Sequence, residues 1–237
     1  MVKPALYKLL SVLNLIICCG ISPEFIESAS AYPIVIHHNP SDKQLLLNGR
    51  IWRNQYSKAI NDQFFLSNSF LKGSVIFNGR KFSDLDLMYD INNDELILKV
   101  DSYPVIILNK EMVDSFNLSF GNRNYHVINA GTDSANVLKG YLNVLYDGPS
   151  ALYVKYTKTF QPLAVDGRYD IFFPDHSIYL RKGTEIILVT GKKKLLILLD
   201  DKKKEIRHYL RNSSLKLKQK DPETFVPILR YYDSLKE

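Results

Sequence analysis

The densest group of chemically capable side chains in this sequence is acidic: Asp84, Asp86, Asp90, Asp94 and Glu95 crowd one short stretch, with Asn92 among them. Asp90, Asn92, Asp94 and Asp101 have a spacing similar to that of a calcium loop, in which oxygen ligands converge on a sharp turn. Two departures count against it, because Glu95 stands where such a loop needs glycine and Asp101 replaces its bidentate glutamate. The acids also alternate with Leu85, Leu87 and Tyr89, and this predicts the wet face of a strand running into a turn. The same carboxylates are the sequence's basis for an alternative in which the chain is a glycan- or peptide-directed hydrolase working around Asp84 to Asp94.

Other chemistries have less support. Of the histidines, His37 and His38 are neighbours and so point to opposite faces of a strand, while His126, His176 and His208 are dispersed. There is no G-x-S-x-G elbow, no P-loop, no G-x-G-x-x-G and no H-E-x-x-H. The two cysteines, Cys18 and Cys19, both lie close to the start. No catalytic residue, cofactor or metal ligand is therefore assigned, and a non-enzymatic binding or structural role is the preferred expectation.

Two surfaces are candidates for binding. The basic tail carries Lys192-Lys-Lys194 and Lys202-Lys-Lys204, with Arg207 and Arg211 beyond, and Lys202, Lys203, Lys204, Arg207 and Arg211 are the expected contact with an anionic surface. Charge runs are more often a solvated helix face. The chain also holds 15 tyrosines. If Tyr141, Tyr146, Tyr153 and Tyr156 share an exposed side, they form an aromatic surface for a sugar or peptide. A net charge of +6 over 237 residues permits anionic partners without requiring nucleic acid, and none is expected.

The elements that must position these groups are mostly strands. From Gln44 to Val189 short apolar and β-branched runs alternate with Asn48-Gly49, Asn78-Gly79, Asn92-Asn93, Asp147-Gly148 and Asp166-Gly167, residue pairs suited to tight turns. The clearest hairpin spans Tyr141 to Tyr156. Asn109 is placed to cap a helical turn over Lys110 to Val113. From about residue 192 the pattern becomes helical. Asp200 is expected to cap a helix whose stripe is Leu199, Ile206, Tyr209 and Leu210, and a second helix opens at Asp221-Pro222. The predicted fold class is α+β, mostly β: a single antiparallel β-meander sheet or partly open barrel with two C-terminal helices, in one domain over residues 32–237.

The first 31 residues read as an export signal. Lys3 and Lys8 precede an apolar run from Leu9 to Cys19, shorter than the roughly 20 residues a spanning helix needs. Ala29-Ser30-Ala31 supplies a cleavage site, while Ile17-Cys18-Cys19 has some likeness to a lipobox, so release after Ala31 and a lipid anchor at Cys18 or Cys19 both stand. Periplasm, outer surface or secretion is the expected location. A chain beginning at Tyr32 has no thiol, so its core must be held by apolar packing.

Six runs also look familiar together: 48–54 (NGRIWRN), 62–66 (DQFFL), 89–95 (YDINNDE), 109–116 (NKEMVDSF), 140–146 (GYLNVLY) and 231–235 (YYDSL). They resemble an uncharacterised family of exported Bacteroidetes proteins. The resemblance implies an envelope or secreted location, with another envelope component or an anionic surface as partner, and it brings no activity, cofactor or catalytic residue. The runs themselves read as turns and strand edges.

Overall fold

The computed structural model describes residues 40–131 and 137–236. The expected export signal, with Cys18, Cys19 and Ala31, lies outside those residues, as do His37 and His38. Eleven strands form one sheet: β1 (Arg50–Ile51), β2 (Leu71–Phe77), β3 (Arg80–Asp90), β4 (Glu95–Lys99), β5 (Ile106–Ile107), β6 (Val113–Phe120), β7 (Arg123–Asn129), β8 (Tyr141–Asp147), β9 (Ser150–Val165), β10 (Tyr169–Lys182) and β11 (Glu185–Leu188). Their order is β1-β5-β4-β3-β2-β6-β7-β8-β9-β10-β11, and each neighbouring pair is antiparallel. The fold is thus the expected mostly-β α+β class, built as two meanders joined where β6 pairs with β2.

The turns explain most of the register. Asn78 and Gly79 both adopt positive φ, 51° and 74°, which lets Phe77 face Arg80 across a two-residue hairpin. Asp166 and Gly167 also adopt positive φ in the three-residue loop between β9 and β10, where Val165 faces Tyr169, and Asp147 pairs with Ala151 in the hairpin that the sequence marks most clearly. Asn48-Gly49 makes no hairpin. It ends a 3-10 helix (Pro40–Asn48) and leads into β1, and glycine is needed because a Cβ there would run into the Ile107 carbonyl oxygen.

Connecting the two meanders forces the sheet to curl. Five residues link β5 to β6, yet the two strands lie four inter-strand steps apart, about 19 Å in a flat sheet. A chain that short spans the gap only if nearly fully extended. Three of the five residues form a 3-10 turn instead (Lys110–Met112), capped as expected by the Asn109 side chain, which accepts from the Glu111 N–H at 3.2 Å. The sheet must therefore bend to bring β5 towards β6. The curl encloses a core in which Tyr89, Phe116 and Tyr141 meet edge to face at 5.1–5.6 Å between ring centroids.

A second core lies between the sheet and the tail. Leu152, Val154, Ile178 and Leu180 pack under α1 (Lys192–Leu198), α2 (Lys203–Asn212) and α3 (Val226–Ser234). The helical segment begins where expected but is divided into three. Leu199, fully buried, leaves helical geometry and ends α1, so Asp200 enters a 3-10 turn (Asp200–Lys202) and pairs with Lys203 at 2.6 Å instead of capping a helix. Asp221 likewise makes no side-chain cap to the 3-10 turn Pro222–Phe225 that precedes α3.

Polar clamps fasten the helices to the sheet. Asp233 of α3, only 4% exposed, accepts from the Ser150 backbone N–H at 3.0 Å, from the Ser150 hydroxyl at 2.9 Å and from the Tyr146 hydroxyl at 2.9 Å. Arg123 on β7 grips Glu223 with two hydrogen bonds of 2.7 and 2.8 Å. Asp201 accepts from Lys182 and Tyr232. Burial opposes its charged form, but these two partners and the Lys236 charge prevail and hold its carboxyl at about 2. Removing the buried acceptor should cost far more than removing the exposed one. We expect Asp233→Ala to lose about 3 kcal/mol in urea denaturation, because three donors lose their acceptor, and Asp201→Asn to lose less than about 1 kcal/mol.

Candidate functional site: a basic groove on the helical tail

The tail helices leave between them a groove of about 930 Å³. Its rim carries four cations, Lys192, Lys204, Arg207 and Arg211, against one acid, Glu205, and its floor is Leu196, Leu210 and Tyr231. Helical periodicity explains the selection, since positions 204, 207, 208 and 211 recur at three and four residues and so share one face of α2. Among the described residues none of the four rim cations has an acid partner. Tyr231 is held by stacking on Tyr209, with centroids 4.3 Å apart and planes 12° from parallel. His208 lines the groove and accepts from the Asn212 amide at 2.8 Å.

Of the five cations expected at an anionic surface, Lys204, Arg207 and Arg211 meet here. Lys202 and Lys203 do not. Lys203 is occupied by Asp200, and Lys202 sits in the 3-10 turn before the helical register begins. Lys192 joins the rim from α1, a placement for which a tripled lysine run carries no signal.

The expected aromatic surface does not form. Tyr141 is 1% exposed inside the curl and Tyr153 is 9% exposed, while Tyr146 and Tyr156 are half-buried. For Tyr141 the physical reason is the curvature, which turns its face inward against Tyr89 and Phe116, while Tyr153 lies on the opposite face, packed among Leu138, Leu142 and Ala151. Tyr146 bonds to Asp233 and Tyr156 packs on Phe65 at 4.7 Å, so both serve packing between layers.

The acidic stretch is divided among separate tasks. Asp84 and Asp86 stand on the outer face near Lys72, at 3.5 and 3.2 Å. Asp90, 1% exposed, accepts from the backbone N–H groups of Asn92 and Asn93, both at 2.9 Å, and shapes the turn between β3 and β4. Burial raises its pKa, and those hydrogen bonds offset only part of the effect. Asp94 turns inward. It receives the Tyr89 hydroxyl at 2.6 Å, the Lys155 ammonium at 2.6 Å and the Lys110 ammonium. Burial works against its charge, but the two lysines overcome it and hold the carboxyl below its usual range. Lys155 is shifted down, chiefly by burial. Gly140, at φ +66°, lies against this carboxylate so closely that a Cβ would strike it. The calcium-like spacing therefore does not converge: Asp90 serves its own turn, Asp94 serves two lysines, and Asp101 is exposed in the next turn. Among the described residues no cluster of three metal-ligating side chains forms.

Fold and surface together define a class: a curled antiparallel sheet with a helical buttress that carries a basic, apolar-floored groove. No family model, no curated protein and no solved structure matches the chain.

Asp94, half-buried, and Asp90, buried, should respond oppositely to pH. Asp94, with its lowered pKa, stabilises the fold fully above the ordinary carboxylate value near 3.9, and this is lost as pH falls through its lower folded value. Asp90, with its raised pKa, subtracts stability at neutral pH, and that deficit fades as pH falls. We expect Asp94→Asn to cost about 3 kcal/mol at pH 7 by stranding Lys110 and Lys155. Asp90→Asn keeps the acceptor for the turn and should cost less than about 1 kcal/mol. Thermal melts from pH 7 to pH 2 check both, and the gap between wild type and Asp94→Asn should narrow towards the acid end.

Proposed function

We propose that this chain is an exported, non-enzymatic binding protein of the bacterial envelope, and that its helical tail docks on an anionic lipid surface. The observation that carries the proposal is the groove of α1 to α3, whose rim cations have no acid partner among the described residues. Four cations left unpaired over an apolar floor suit an amphiphile better than a small ion. The headgroup phosphate can take charge-assisted hydrogen bonds from Arg207 and Arg211 while Leu196, Leu210 and Tyr231 cover its apolar part. Ile197 of α1, 66% exposed, adds an apolar side chain to the same helix as the floor residue Leu196. Among the described residues no helix is long and apolar enough to span a membrane, so attachment through this face is peripheral.

The export reading rests on the lysine-flanked apolar start, and the resemblance to exported Bacteroidetes proteins agrees with it. The engagement of Asp84, Asp86, Asp90 and Asp94 in ion pairs and turn bonds favours binding over hydrolysis.

Each cation near an anionic leaflet contributes about 1 kcal/mol. Neutralising Lys204, Arg207 and Arg211 together with glutamine should therefore weaken binding to phosphatidylglycerol vesicles roughly a hundredfold at low salt. Wild-type binding should fall as salt rises and be weak on phosphatidylcholine vesicles. Cosedimentation measures all three. Equal binding of wild type and triple variant to phosphatidylglycerol would overturn the docking face.

A further inference from the structure

Four of the runs that read as turns and strand edges, 48–54, 62–66, 89–95 and 109–116, are distant in sequence and meet at one place remote in sequence from the tail. They line two adjoining hollows of about 380 and 280 Å³ that share Arg50, Asn93, Glu95 and Ile107. The hollows exist because β1 is only two residues long. After Ile51 the chain leaves the sheet edge, with the Trp52 N–H donating to the Val105 carbonyl at 2.9 Å, and it arches over the turn that Asp90 shapes.

The smaller hollow, bounded by Trp52, Gln63 and Asn93, is lined mainly by polar groups. Gln63 is 3% exposed, and its backbone carbonyl accepts from the Ile91 N–H at 3.0 Å. Its side-chain amide, lining the smaller hollow, has no partner among the described residues. The amide is reached from the hollow and so is open to a ligand there, whereas covering it with an apolar group would leave its hydrogen-bonding capacity unmet. Around it stand the Asn93 amide, fixed by donation to Asp90 at 3.1 Å, and Glu95, ion-paired with Arg50. Arg53 and Gln55 are exposed at the mouth, again without protein partners among the described residues. Two aromatic rings complete the lining. Trp52 leans on Phe64 at 6.0 Å, and Tyr56 is wedged against Phe160 and Phe172 at 4.8 and 5.1 Å.

This chemistry selects its ligand by elimination. A polyanion is disfavoured, because Glu95 neutralises Arg50 and the Asp90 carboxyl lies in the same lining, leaving Arg53 as the uncompensated cation. An apolar ligand would strand the Gln63 amide. A pyranose meets both demands: its hydroxyls each donate and accept, as amides and the carboxylate require, and its C–H face can lie on an indole or phenol ring. We propose that the cleft between β1 and the β3–β4 turn is a saccharide-binding site, with Trp52 as the stacking ring, Gln63 and Asn93 as the hydroxyl readers, and Arg53 favouring a sugar that bears one carboxylate.

Trp52 is the single tryptophan of the chain, so its fluorescence reports on this cleft. The probes are soluble neutral oligosaccharides (chito-, cello- and manno-oligosaccharides) and uronic-acid oligosaccharides (alginate and polygalacturonate fragments). At least one should change Trp52 emission saturably, and calorimetry should give the same affinity. Gln63→Leu and the exposed-site variant Gln55→Ala should each weaken that binding tenfold or more, with an unchanged urea midpoint for Gln55→Ala. Arg53→Ala should lower the preference for uronic-acid over neutral probes. The lysine and arginine variant of the tail groove should bind the sugar as wild type does. No response to any probe at millimolar concentration would overturn the proposal, as would binding that Gln63→Leu and Gln55→Ala leave intact. Loss of sugar binding in the tail variant would place the ligand in the helical groove instead and overturn it equally.

Discussion

Taking the Asp94 carboxylate out of water costs several kcal/mol unless opposite charge and hydrogen bonds replace its hydration, and the curl of the sheet supplies both. Lys110 comes from the crossover between β5 and β6, Lys155 from β9, and the Tyr89 hydroxyl from β3. None of these strands is adjacent in a flat sheet to all the others. The cluster can therefore form only if the sheet bends, and once formed it resists flattening, because flattening would leave a buried charge unpaired. Gly140 shows how closely the parts fit, since its missing Cβ is the space the carboxylate occupies.

A more deeply buried carboxylate performs the same service between layers. Asp233 reaches from α3 to the turn between β8 and β9, where Ser150 and Tyr146 donate to it. The apolar packing of Leu195, Ile206, Ile228 and Tyr232 on the sheet supplies the bulk of the attachment. Packing of this kind is non-directional, whereas Asp233 fixes where α3 sits along the sheet. The groove inherits its shape from that placement, because Tyr231, two residues before Asp233, forms part of its floor.

The two proposed binding surfaces rest on different halves of this framework. The basic groove depends on the helices and on Asp233, and the polar cleft depends on the short β1 and the turn shaped by Asp90. A protein that holds an anionic lipid surface with one and a saccharide with the other would sit between a membrane and a glycan, which accords with an exported envelope protein. Of the strongly bonded acids, Asp233 lines neither surface, and Asp94 lines the larger hollow of the cleft while its charge is taken up by Lys110 and Lys155. Their work is to keep both surfaces in shape.

Local patterns settled the elements. Alternation and Asn-Gly or Asp-Gly pairs marked the strands from Ser74 to Leu188, Asn109 marked its helical turn, and the apolar stripe around Ile206 marked the tail helix, because each signal lies within a few residues of its effect. Fold class followed from these. Curvature did not, since it arises from a crossover too short for a flat sheet, and that depends on which strand β6 joins. Exposure of Tyr141 failed for the same reason, since only the curl puts it inside, whereas Tyr153 on the opposite face is covered by Leu138, Leu142 and Tyr179. The tail cations were legible as a run, but helical phase, not adjacency, chose Lys204, Arg207 and Arg211 and left out Lys202 and Lys203. The roles of Asp94 and Asp233 were hidden altogether, for a carboxylate declares itself structural only when partners 5 to 87 residues away are seen to converge on it.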